Sequence, residues 1–267
     1  MKTNTESQYQ GYIKTPSLWV DHALMGLEQL VIPQLTTSHF NNSVKGHMPL
    51  GKLVERFVIE ELRQHSNISI LSENIQIQNQ KTTIGEIDCL LKQNNISIHL
   101  EIIYKFYLYD PDAGSTEIDR WIGPNRNDNL LKKLHKLKDK QLPLLYNPQT
   151  KFLLDSLILN LDDLVQKVLF KAQLFTPFNK NIQFDLLNKA CHTGFYIHGS
   201  DIGQFSDSTF YIPNKLDWLI EVKTDVEWTP FDQFSNKIIA FTEEKRAPLC
   251  WIKFPDTSIQ KFFIVWW

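Results

Sequence analysis

Two apolar runs separated by a polar break constrain this chain most. Ile87, Cys89, Leu90 and Leu91 form the first run, Lys92-Gln93-Asn94-Asn95 is a cluster of turn formers, and Ile96-Ser97-Ile98-His99-Leu100-Glu101-Ile102 then alternates strictly. Period-two alternation marks a half-buried strand, and a short turn cluster between two such runs predicts a β-hairpin. Ile96, Ile98, Leu100 and Ile102 share the face expected to meet the core, while His99, Glu101 and Lys105 share the opposite face.

The hairpin carries chemistry. Its turn returns Asp88, the last residue of Gly85-Glu86-Ile87-Asp88, to the neighbourhood of His99 and Glu101. Acids and lysines are costly in the middle of a sheet, so two carboxylates and an amine gathered there call for a reason. Close carboxylates repel unless a cation joins them, and Mg²⁺ takes one or two carboxylates together with waters and substrate phosphate oxygens. Such an ion polarises a phosphate and acidifies its bound water, and a nearby lysine offsets the charge that develops. The expected roles are Asp88 and Glu101 as metal ligands and Lys105 as the cationic partner, with Mg²⁺, or Mn²⁺ in its place, as cofactor.

A third acid is expected from a preceding helix. Leu53, Val54, Phe57, Val58 and Leu62 recur at helical spacing between Leu50 and Gln64, which puts Lys52, Arg56 and Arg63 on the opposite, solvated side. Glu55 lies at the margin of the apolar arc, where it can face a site between helix and sheet. Glu61 projects nearer the middle of the arc and is the rival, and Glu60 faces solvent.

These residues resemble a known family. Gly51-x3-Glu55 on a helix, then Asn74, then Gly-Glu-Ile-Asp, then an apolar strand with Glu and Lys, is similar to the PD-(D/E)XK nuclease superfamily, and locally to Holliday-junction-resolvase-like endonucleases. The wider run is more specific. His99-Leu100-Glu101, Lys105-Phe106-Tyr107-Leu108, Trp121-Ile122-Gly123-Pro124-Asn125-Arg126, Asp128, Leu130 and Gln141-Leu142-Pro143-Leu144 together resemble an uncharacterised bacterial family assigned to that superfamily. The resemblance implies an α/β, restriction-endonuclease-like mixed sheet flanked by helices. It puts Glu55, Asp88, Glu101 and Lys105 in the catalytic positions and makes nucleic acid, DNA before RNA, the partner. The usual Glu-x-Lys spacing is Glu-x3-Lys here, with Ile103 in the lysine slot. Strand parity is kept, but the lysine moves from about 6.8 Å to about 13.6 Å beyond the acid unless the strand bulges. Two readings follow: a metal-dependent nuclease, or a nuclease-fold module without hydrolysis that binds nucleic acid or a protein. A structural salt-bridge network is the plainer alternative.

Glu221-Val222-Lys223, with Asp217 upstream, has the shorter spacing. Asp217 and Glu221 sit on one apparent strand with no turn between them, and Glu-x-Lys is common on exposed strand edges, so this site is read as structural. Arg126, in a Gly-Pro-Asn-Arg turn, is a candidate for gripping phosphate, unless it pairs with Asp119 or Asp128. Leu130, Leu134 and Leu137 predict a helix up to Pro143, whose Lys132 and Lys133 contact nucleic acid or simply face water. Asp110 and Asp112 in the next loop either assist a metal or make a turn.

A net charge of −2 over 267 residues confines any nucleic-acid grip to a local patch. Three scattered cysteines, Cys89, Cys191 and Cys250, argue against a disulfide framework and fit a reducing cytoplasm, with Cys89 a buried small hydrophobe. Cys191-His192 with His198 lacks zinc spacing. No apolar stretch is long enough for a bilayer. The expected organisation is an N-terminal helical segment and loop over 1–49, a nuclease-like core over 50–145 and a C-terminal α+β extension over 146–267. Helices are expected near 16–35 and over Asp155–Gln173, a polar loop over Thr36–Pro49, and short strands and turns from Phe184 to a buried aromatic tail strand. Homo-oligomerisation is left open.

Overall fold

The structure, a computed structural model, describes residues 4–33, 35, 37–41 and 48–267. Its elements run α1 (Thr5–Lys14), α2 (Leu50–Arg63), β1 (Ile68–Asn79), β2 (Thr82–Gln93), β3 (Ile96–Tyr109), β4 (Trp121–Ile122), α3 (Leu130–Lys136), α4 (Lys151–Ser156), β5 (Leu164–Pro177), β6 (His192–His198), β7 (Thr209–Tyr211), β8 (Thr229–Pro230), α5 (Phe231–Glu243), β9 (Leu249–Lys253) and β10 (Ile259–Val265). The strands form a ten-stranded sheet in the order β1-β2-β3-β5-β6-β10-β9-β7-β8, with β4 on β3. Parallel β5–β6 and β6–β10 pairs among antiparallel ones make it mixed, the α/β class expected. No helix among the described residues is long and apolar enough to cross a membrane.

Two compact units divide the chain. One holds Ser17–Tyr104 and Lys132–Lys171, and the other holds the N-terminal residues to Pro16, Lys105–Leu131 and Ala172–Trp267. The units interleave along the chain.

In the unit containing Ser17–Tyr104, the hairpins are set by turn residues. Asn94 and Asn95 have φ of 50° and 67°, the two left-handed positions of the tight turn that joins β2 to β3. α2 buries Leu53, Val54, Phe57, Val58 and Leu62 as its period requires. It also buries Glu60 and Glu61, so Glu60 does not face solvent. Both faces of β3 are covered: His99 and Glu101 are as buried as Ile98 and Leu100, while Ile96, beside the turn, is 54% exposed. The alternation therefore separates an apolar face from a polar one, both of them inside. Ile77, Ile87 and Leu90 pack with Leu144, Leu145, Leu154 and Leu164. Gly85 admits that layer, because a Cβ there would sit 2.6 Å from Leu144 Cδ2.

Two expected helices are absent. Residues 16–33 form no helix: Leu18 N–H donates to Phe170 O and Leu30 N–H to Val168 O, and Val168 N–H donates to Glu28 O. Met25 and Gly26, with φ of 53° and 82°, make a tight turn between Leu24 and Leu27 that no helix can contain. Of the polar loop, Thr36, Asn42 and Gly46 lie outside the described residues. Asp155–Gln173 leaves α4 after Ser156 and becomes the strand β5. That strand is buried on both faces, and a continuous buried run has no period to tell strand from helix.

In the other unit, β10 lies between β6 and β9 with Phe262, Phe263, Ile264 and Val265 fully buried, so the aromatic tail is an interior strand, as expected. Its core joins Phe195, Phe205, Phe210, Phe234, Cys250 and Phe262. Phe210 and Phe234 stack at 4.1 Å between centroids. α5 supplies Phe234 and Ile238 from a stretch expected to hold mostly short strands and turns. α1 forms in the polar N-terminal region, burying Tyr9 and Tyr12.

Candidate metal centre

β2 holds Glu86 and Asp88 two residues apart, hence on one face. α2 brings Glu55 to them, and one carboxylate oxygen from each of these three residues lies within 4.8 Å of the others. The β2–β3 ladder ends at Cys89–Leu100. Beyond it the Asp88 side chain takes over the role of a main-chain partner: Asp88 Oδ2 accepts the Ile102 N–H at 2.9 Å. Across the other edge of β2, Asn74 adopts φ of 52° in mid-strand, between the Glu73–Cys89 and Ile75–Ile87 pairs. A left-handed residue inside a strand is a local cost of the kind that gathers at functional sites, and asparagine bears it better than most.

The amine of the cluster is Lys52. Its Nζ donates to Glu55 Oε2 at 2.6 Å, to Glu86 Oε1, and to Asn74 Oδ1 at 3.3 Å. Lys52 thus reaches the carboxylates with a side chain that is still 44% exposed. Lys52 and Glu55 are three residues apart, which puts them on one stripe of the helix. Burial alone would lower the Lys52 amine; the hydrogen bonds and charges of Glu55 and Glu86 outweigh it and hold the amine above its ordinary value.

Three carboxylates against one ammonium leave the cluster short of positive charge. Burial, then the charges of Glu101 and Glu55, push the Asp88 carboxyl up to about 7, against the Ile102 hydrogen bond and the charge of Lys52. Burial also raises Glu55, against its hydrogen bond to Lys52, and Glu86 and Glu101 add to the rise. An all-oxygen donor set with excess negative charge suits a hard divalent cation such as Mg²⁺ or Mn²⁺. Glu55, Glu86 and Asp88 are the residues placed to hold one.

Glu101 stands beside this cluster rather than in it. It is fully buried and acts on Asp88 and Glu55 through its charge. His99 Nε2–H donates to Glu101 Oε1 at 3.1 Å, and Gln141 Nε2 donates to Oε2. Lys133 Nζ donates to Gln141 Oε1 at 2.8 Å, and Gln166 Nε2 lies 3.0 Å from His99 Nδ1. That arrangement assigns the His99 proton to Nε2 and satisfies the buried carboxylate on both oxygens. Lys133, expected on nucleic acid, is thus tied into this chain. Glu61, the rival to Glu55, is not part of the carboxylate group, among the described residues.

Lys132 lies in the same unit as the cluster, whereas Lys105, Asp110, Arg126 and Glu221 belong to the other. Lys105 Nζ pairs with Asp128 Oδ2 at 2.6 Å, and Ile103, in the usual lysine slot, is buried. Arg126 pairs with neither Asp119 nor Asp128. Its guanidinium meets Asp110 Oδ2 at 2.8 Å and lies 4.5 Å over the Trp267 ring. Asp110 Oδ1 also accepts the Asp112 N–H at 3.0 Å, which is turn chemistry. Glu221 pairs with Lys14, and Asp217 accepts from Gln8 Nε2. All three cysteines are free and buried.

Glu86, Lys52 and the two glutamines that flank Glu101 and His99, Gln141 and Gln166, are the members that sequence reasoning missed. Glu86 had a visible signal, since it shares strand parity with Asp88.

Fold and site together define a mixed-sheet α/β protein with a lysine-bridged carboxylate cluster at the junction of a helix and a hairpin. The chain belongs to the family described as Domain of unknown function (DUF1853), whose model matches residues 14–263. No curated protein and no solved structure matches it.

Proposed function

We propose that this protein is a metal-dependent nuclease that hydrolyses phosphodiester bonds in nucleic acid, DNA before RNA. The observation that carries the reading is the convergence of Glu55, Glu86 and Asp88 with the Lys52 amine among them. Mg²⁺ or Mn²⁺ held there would supply Lewis acidity to a phosphate and a water acidified for attack. Lys52 balances the carboxylates in the metal-free protein, and is placed to stabilise negative charge developing on a phosphate. Glu101, fixed on both oxygens, holds up the proton affinity of Asp88 and Glu55 and so favours an incoming cation. The resemblance to PD-(D/E)XK nucleases agrees, with Lys52 of α2 as the amine in place of Lys105. Buried free cysteines fit a cytoplasmic setting.

A second reading, a nuclease-fold module that binds without cutting, is favoured by the commitment of Lys105 to Asp128. One experiment separates them. Purified protein is incubated with linear, branched and single-stranded DNA and Mg²⁺ or Mn²⁺, beside Asp88→Ala, Glu86→Ala and Lys52→Met. Cleavage that needs a divalent ion and is lost in all three variants supports the nuclease. Cleavage that survives in the variants refutes this site, and DNA binding without cleavage on every substrate supports the second reading.

A further inference from the structure

The unit that ends at Trp267 contains a cavity of about 270 Å³ that the chemistry above does not use. Lys14 and Thr15 at the end of α1, Gln173 of β5, Glu221, and Gln260 and Lys261 of β10 line it. Lys261 is only 5% exposed. Its Nζ donates to Gln173 Oε1 at 3.0 Å and to the Trp218 carbonyl at 2.8 Å, both neutral acceptors. An ammonium carries three N–H donors, so one is left over. No carboxylate among the described residues makes an ion pair with it within 4.0 Å. Glu221 is engaged by Lys14 at 2.5 Å and reaches Lys261 only through its longer-range field.

A buried amine with a spare donor and no counter-ion normally gives up its proton, and burial does bring Lys261 down to about 7, with Glu221 pulling it back up. Lys14 and Glu221 are the other charged residues of the lining, and Asp217 of the turn that carries Trp218 is held by Gln8. The lining thus carries two amines, Lys14 and Lys261, against the single carboxylate of Glu221, which Lys14 already engages.

We propose that this cavity binds a small oxyanion, a carboxylate or phosphate group, on the Lys261 amine with Lys14 as a second positive charge. The anion takes the third N–H, and binding draws a proton onto Lys261.

The test is calorimetric titration of the full, EDTA-treated chain with sodium acetate and, separately, inorganic phosphate, at pH 6 to 8. Asp88→Asn in the same experiment removes any contribution from the carboxylate cluster. Saturable one-site binding is expected. In the acetate arm, where the ligand itself does not titrate, affinity falls about fivefold from pH 7 to pH 8 and part of a proton is taken up, read from buffers of different ionisation enthalpy. The tighter of the two anions identifies the group recognised. Lys261→Met abolishes binding, and Lys14→Gln weakens it several-fold. Absence of saturable binding by either anion, equal affinity in Lys261→Met, or zero proton uptake overturns the proposal. If Lys261→Met does not fold by circular dichroism, the exposed Lys14→Gln variant and wild-type proton uptake decide it.

Discussion

Asp88→Asn should make the metal-free protein more stable above neutral pH, and the size of the effect follows from the cluster. The Asp88 carboxyl is raised from 3.8 to about 7, chiefly by burial and by Glu101. The folded state therefore keeps this proton over a window in which the unfolded chain has lost it. Stability is complete below 3.8, falls as pH rises to about 7, and stays lower beyond that by a constant amount. A shift of roughly 3 units corresponds to about 4 kcal/mol, and partial water access at Asp88 brings the expected loss to about 2 kcal/mol. Asparagine keeps an acceptor for the Ile102 N–H and carries no charge, so the variant lacks this pH slope. Urea unfolding in EDTA at pH 5 and pH 8 measures it as a double difference, in which the titration of Lys261 cancels. Mg²⁺ or Mn²⁺ at pH 8 should restore stability to the wild type and not to the variant. Parallel pH profiles for the two proteins would refute the placement of Asp88 in a charge-crowded cluster, and equal stabilisation of both by the metal would refute its role as a ligand.

Lys52→Met should lower divalent-dependent cleavage by about a hundredfold or more, whereas Lys105→Met, measured in the same assay, should change it less than threefold. Gln141→Ala leaves one oxygen of buried Glu101 without its donor and should cost about 1–3 kcal/mol in urea unfolding. Arg126→Ala removes the Asp110 pair and the Trp267 stack, so it should cost about 1–2 kcal/mol and leave the salt dependence of DNA binding unchanged; a salt slope reduced by about one would return Arg126 to a phosphate-gripping role.

The parts of this fold that could be read from the sequence are those where one local rule acts alone. The Asn94-Asn95 turn, the apolar stripe of α2 and the buried tail strand each follow from a single period or a single turn chemistry. β5 was hidden because Leu164–Pro177 is an interior strand, where burial on both faces erases the period. The 16–33 stretch was hidden for a different reason. Its apolar residues serve a short turn at Met25-Gly26 and main-chain bonds to β5, and only the pairing partner, far away in sequence, fixes that geometry.

The lysine of the site separates helix logic from strand logic. On a strand, moving from Glu-x-Lys to Glu-x3-Lys keeps the face and loses the reach, and Lys105 accordingly finds Asp128. On a helix, a residue three positions before Glu55 lies directly beside it, so Lys52 delivers an amine to the carboxylates without any strand geometry. The wheel projection that set Lys52 on the solvated side treated a long, flexible side chain as a point. Four methylenes let its ammonium reach Glu86, on a different element, from the edge of the apolar arc. The consequence is a site whose positive charge depends on α2 and whose negative charge comes from both α2 and β2. A change in the packing of that one helix then removes a carboxylate and the amine together, whereas a change in β3 near Lys105 removes neither.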